Sequence, residues 1–185
     1  MVVLETDLDI NPPADVALFC LTELGLQPPI HVVTVARACG VPVLPLPPGG
    51  PLDVDACLAY HPPDCWAIFV APGRGHGRRR FSIAHELGHY LLHRDLIAAG
   101  IPLGPEHERE ANEFAAELLM PEEVIRRTAM NQLEELKHRF LVSGGALQVR
   151  LERLGVLPRA SAGTRPNMVG GDRQLIQGPK ARAHT

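Results

Sequence analysis

Ser82-Ile83-Ala84-His85-Glu86-Leu87-Gly88-His89-Tyr90-Leu91-Leu92-His93 decides how this chain is read. Ala84, Leu87, Leu91 and Leu92 recur at helical spacing, and Ser82 stands where an N-cap belongs. The pattern predicts a helix over residues 82–93. His85 and His89 are one turn apart on it, so both imidazoles project from one side and can share a tetrahedral zinc ion. Glu86 lies roughly 100° around the axis, where it can reach a water at the metal without ligating it. A His-Glu-x-x-His pattern arises by chance about 0.03 times in a chain of this composition, so the metal reading outweighs a pair of ordinary polar histidines.

A catalytic zinc takes three protein ligands and keeps one position open. His93 is a poor third ligand. On a straight helix it sits two turns beyond His85, too far along the axis, and it is read as structural. The metzincin extension is excluded, because Leu92 and Asp95 stand where it needs Gly and His. Residues 106–120 predict a second helix, stopped by Pro121. Ala111, Phe114, Ala115, Leu118 and Leu119 form its apolar side. Glu108 and Asn112 lie on the edge of that side, and Glu110, Glu113 and Glu117 on the solvent side. Glu108 is thus the carboxylate that can face the first helix, with Glu110 and Glu113 as alternatives. Asn112, one turn later, is placed to hydrogen-bond a ligand.

Around this pair of helices the rest of the chain falls into place. Of 18 prolines among 185 residues, twelve precede Gly73 and only Pro102, Pro105 and Pro121 lie between Gly73 and Leu157. The first third is therefore punctuated, and the stretch holding both ligand helices is unbroken. Helices are expected over residues 15–24 and 30–39, an edge strand over 41–46 and a strand over 65–71. The edge of the 65–71 strand could pair with an extended substrate. Helical stretches are expected over 122–140 and 143–154. Within 131–154 they superficially resemble a helix-turn-helix and are read as a packing pair. Arg78-Arg79-Arg80 reads as a solvated run before the ligand helix.

Composition sets limits. The N-terminus carries Glu5, Asp7 and Asp9 and no basic region of a secretory signal. No apolar run approaches the roughly 18 residues that span a bilayer. A cytoplasmic protein without membrane attachment is expected. Cys20, Cys39, Cys57 and Cys65 show no CxxC spacing and read as small, reduced, buried residues. Residues 158–185 lack a hydrophobic period and read as a disordered basic tail, with Arg159, Arg165, Arg173, Lys180 and Arg182 against Asp172. The net charge of −3 therefore hides a more acidic body, a poor scaffold for direct DNA binding.

Arg80-Phe81-Ser82-Ile83-Ala84-His85-Glu86-Leu87-Gly88-His89-Tyr90-Leu91-Leu92-His93 and the later run Glu108-Arg109-Glu110-Ala111-Asn112-Glu113-Phe114-Ala115-Ala116-Glu117-Leu118-Leu119-Met120-Pro121 resemble the ImmA/IrrE family of zinc metallo-endopeptidases. The resemblance implies an α+β, mostly helical zincin-like domain over residues 1–157, with a small N-terminal antiparallel sheet and a C-terminal helical pair. It implies a gluzincin-like site with His85, His89 and Glu108 as ligands and Glu86 as the catalytic glutamate. The cofactor would be one zinc ion per chain, with manganese as the alternative. The substrate would be a helix-turn-helix repressor encoded nearby, whose cleavage relieves repression of stress-response or mobile-element genes. Tyr90, His76 and Arg74 are the candidates for oxyanion or substrate contacts. The competing class is a metal-stabilised transcriptional regulator that binds a repressor or DNA without cutting. An intact Glu86 favours the enzyme, since a purely structural zinc has no need of a base.

Overall fold

The computed structural model describes residues 12–48, 54–73, 75–128 and 133–158. The expected tail from residue 159 onward lies outside these. Helix α1 (Pro13–Glu23) opens with proline, whose fixed φ suits the first turn and whose missing N–H would be unbonded there anyway. Gly25, at φ +59°, turns the chain out of it. Helix α2 (Val32–Ala38) follows.

Strands β1 (Val43–Pro45), β2 (Ala56–His61) and β3 (Cys65–Val70) form a sheet in the order β1-β3-β2. Ile68 pairs with Leu58 of antiparallel β2 and with Val43 of parallel β1. The sheet is therefore mixed, where an antiparallel one was expected. The two edge strands run in opposite senses, so whichever strand fills the gap must lie parallel to one of them. The expectation missed β2 altogether. Ala56-Cys57-Leu58-Ala59-Tyr60-His61 has two alanines and little β-branching, so little in it announces a strand. β3 was expected to offer an edge; it is the central strand, and the edges belong to β1 and β2.

Helix α3 (His76–Ala98) begins six residues before the expected Ser82 cap. Pro72 and Gly73, the latter at φ +78°, end the preceding strand, and nothing after Gly75 is strong enough to stop a helix. Ser82 is thus interior and buried, and among the described residues its Oγ has no hydrogen-bond partner. The arginine run is likewise part of the helix. Arg78 pairs with Asp55, and Arg80 is buried, donating to the carbonyls of Phe140, Leu141 and Ile30. Only Arg79 of the three fits the solvated reading, being exposed and without a charged partner among the described residues.

Helix α4 (Pro105–Leu119) packs along α3. The stretch expected as one helix over 122–140 is divided into α5 (Glu122–Arg127) and α6 (Leu133–Phe140). Thr128 takes extended backbone and ends α5. Helix α7 (Gly144–Arg153) is capped by Ser143, whose Oγ accepts the Ala146 N–H at 3.2 Å.

Ala56, Leu58, Ile68 and Val70 share the buried sheet face and meet α3, while Leu87, Phe114 and Leu118 fill the space between α3 and α4. Glu117, expected on the solvent side, is buried instead, ion-paired with Arg150 of α7. A helical wheel of α4 alone has no knowledge of α7, which covers that end. Among the described residues no helix is long and apolar enough to cross a membrane.

Candidate metal centre

Gly88 sets how closely the two ligand-bearing helices approach. A Cβ there would lie 3.0 Å from the Phe114 ring and 3.2 Å from the Ala111 Cα. Without it, α4 settles against α3 and brings Glu108 over the paired histidines. His85 Nε2 and His89 Nε2 are 3.2 Å apart. Glu108 Oε2 is 3.3 Å from His85 Nε2, and Oε1 is 3.5 Å from His89 Nε2. A tetrahedron with zinc–ligand bonds of about 2.0–2.1 Å has edges of about 3.3 Å. Two imidazole nitrogens at about that edge length, each with one oxygen of the same carboxylate close to that distance, fit such an ion. Among the described residues this is the cluster of His, Cys, Asp or Glu side chains that could hold a metal.

His89 is fully buried. Its Nδ1 lies 3.0 Å from His93 Nδ1, and His93 Nε2 lies 2.8 Å from Glu110 Oε2. A carboxylate accepts, so His93 Nε2–H donates to Glu110. For neutral rings His93 Nδ1 then accepts from His89 Nδ1–H, and the bare lone pair of His89 falls on Nε2, the atom that faces His85 and Glu108. The chain Glu110–His93–His89 thus leaves on Nε2 the lone pair that a metal ion would need. The sequence reading did place His93 outside the ligand set. It missed the role of Glu110, which it assigned to the solvent side. The clue available was the helical proximity of His89 and His93. Among the described residues the buried Asn112 Oδ1 has no hydrogen-bond partner.

Glu86 is buried beside the cluster, and its Oε2 accepts the Leu58 N–H of β2 at 2.8 Å. Leu58 therefore turns its N–H away from β3, and the Leu58–Ile68 pair is a non-hydrogen-bonded one. Ile68 turns its own N–H to the Pro42 carbonyl on the β1 side. The outward backbone of β2, at Leu58 and Tyr60, thus lies next to Glu86. Burial, and secondarily the Glu86 carboxylate, push the Cys57 thiol up to about 11.

The sequence profile of the IrrE N-terminal-like domain, the M78 peptidase family, matches residues 37–152. The chain belongs to this family. Membership supports a metallopeptidase-like role and implies a metal. No curated protein matches the chain. A solved structure of a Mycobacterium tuberculosis transcriptional regulator superposes with a TM-score of 0.57 at 24% identity, over 77% of this chain and 47% of that one. At that identity the likeness speaks for the fold, and the chain spans about half of that protein's length.

In this IrrE N-terminal-like domain the remaining candidates separate. Tyr90 packs edge-on against Trp66 at 5.4 Å, and Trp66 lies 4.4 Å from Tyr60. All three rings are half-buried and line the sheet–α3 junction next to the cluster. His76 opens α3, nine residues and about 13.5 Å of helix axis before His85, so it is not brought to the metal ligands. Arg74 lies outside the described residues. Cys20 is buried as expected, whereas Cys39 and Cys57 are half-buried and Cys65 is exposed; all are free thiols.

Proposed function

We propose that the chain is a zinc-dependent endopeptidase in which His85, His89 and Glu108 hold the metal and Glu86 carries the proton. The observation that supports this most is the convergence of His85 Nε2, His89 Nε2 and Glu108 at tetrahedral edge lengths beside a carboxylate that stands apart from them. Zinc bound there would supply Lewis acidity toward a peptide carbonyl and acidify water at the site. Glu86 takes the proton of the attacking water and delivers it to the departing amine. The hydrogen bond from Leu58 fixes the carboxylate for that task. The outward edge of β2 toward Tyr60, beyond the Leu58 N–H that Glu86 takes, receives an extended substrate segment as an added strand, so the pairing edge is β2 in place of β3. Tyr60, Trp66 and Tyr90 then offer an aromatic wall to a substrate side chain.

The substrate in this reading is a helix-turn-helix repressor encoded near the peptidase and met in the cytoplasm. Its cleavage would release stress-response or mobile-element genes. The test is co-expression of the chain with that repressor, read by gel. Wild type is expected to convert the repressor into discrete fragments, and Glu86→Gln to leave it intact. Equal cleavage by Glu86→Gln would remove the assigned proton carrier. An intact repressor in both strains would favour a regulator that binds without cutting.

A further inference from the structure

Away from the metal cluster, the start of α3 carries charge of the wrong sign for its place. The amino end of a helix is the positive end of its dipole, presents unbonded N–H groups and favours acidic side chains. α3 has no acidic residue in its first turn and no side-chain cap, yet it opens with His76, Arg78 and Arg79. Arg78 is neutralised by Asp55. His76 and Arg79 are exposed, and among the described residues neither has a salt-bridge or hydrogen-bond partner.

Both side chains line a half-open cavity of about 330 Å³ with His31 and Arg80, over apolar walls that include Ile30 and Ile83. Among the described residues no carboxylate lines it. Arg80 is 7% exposed, and its guanidinium meets only main-chain carbonyls: Phe140 at 2.6 Å, and Leu141 and Ile30 at 2.7 Å each. A buried cation without a counter-charge is costly. Burial pushes its pKa down accordingly. Places where a sequence breaks its own electrostatic rules are where function is expected to reside.

The complement of this cavity is a dianion with an apolar body. Guanidinium groups and helix N–H groups are the common donors to phosphate, and the volume is that of a small-molecule site. A nucleic-acid backbone presents its phosphates on a convex surface and calls for a stripe of cations; here the basic side chains line a hollow. We infer that this cavity binds a small organic phosphate. The phosphoryl group meets Arg79 and the His31 and His76 rings along the flank of α3, and the organic part rests on Ile30 and Ile83. The site shares no residue with the metal cluster. Arg80 lies five residues, about 7.5 Å of helix axis, before His85, so the ligand braces the helix that carries the metal site.

Phenyl phosphate is a suitable probe, titrated into the full chain with its metal bound and followed by NMR of the histidine rings. Saturable one-to-one binding is expected, with the His31 and His76 signals moving and those of His85 and His89 unchanged. Arg79→Ala, at an exposed position, should weaken binding by roughly tenfold or more, and His76→Ala should weaken it in the same direction. Inorganic phosphate should bind more weakly than the ester. Absence of saturation below about 10 mM would overturn the inference. So would shifts confined to His85 and His89, or wild-type affinity in both variants. Equal affinity for the inorganic ion would remove the apolar half of the site.

Discussion

His93 stands between His89 and the half-exposed Glu110, and its removal would leave the His89 Nδ1–H without its acceptor. Outer partners of this kind typically hold metal affinity up by about 10–100-fold. His93→Ala should therefore lower zinc affinity by about that factor in a chelator competition, while the fold, read by circular dichroism, stays intact. Cys57 offers a second residue-scale prediction. A thiol raised to about 11 by burial and by Glu86 is protonated, and so unreactive, at mildly alkaline pH. Alkylation at about pH 8 should label exposed Cys65 well before half-buried Cys57. Cys57 should gain reactivity only as the pH approaches 11. Peptide mass spectrometry of the labelled chain gives the order directly.

At the scale of elements, the approach of α3 to α4 depends on Gly88. A methyl group at that position must displace Phe114 or the α4 backbone at Ala111. Gly88→Ala should cost about 1–3 kcal/mol in denaturant unfolding and should loosen the metal site by moving Glu108 away from the histidines. This element pair was also the most legible part of the sequence. The one-turn spacing of His85 and His89 needs only helical geometry, and the wheel of α4 sorted Glu108 from five glutamates by its position beside the apolar side. What stayed hidden depended on neighbours in space. Ser82 looks like a cap until α3 is seen to begin at His76, six residues earlier. Arg80 looks solvated until Phe140, Leu141 and Ile30 close around it. Glu110 looks idle until His93 is opposite it. β2 is weak as a sequence and exists because β3 gives it a partner along its full length.

Across the whole molecule, the C-terminal helices are tied to the ligand helices by buried charge. Glu117 pairs with Arg150 and also accepts the Glu122 N–H at 3.0 Å, while Arg150 donates to the Met120 carbonyl at 3.3 Å. Breaking such a pair strands a buried charge, at a cost of about 3–5 kcal/mol. Glu117→Ala and Arg150→Ala should each lower the denaturation midpoint by a similar amount, and replacing both by apolar residues of similar size should recover much of it. α7 in this account is a strut for α4. Everything then bears on whether the assembled helices hold a metal for Glu86 to work beside. Metal analysis of purified wild type, Glu86→Gln and Glu108→Ala tests that most directly. One zinc per chain is expected in wild type and in Glu86→Gln, and a large loss in Glu108→Ala. A full equivalent retained by Glu108→Ala, or none in the wild type, would contradict it.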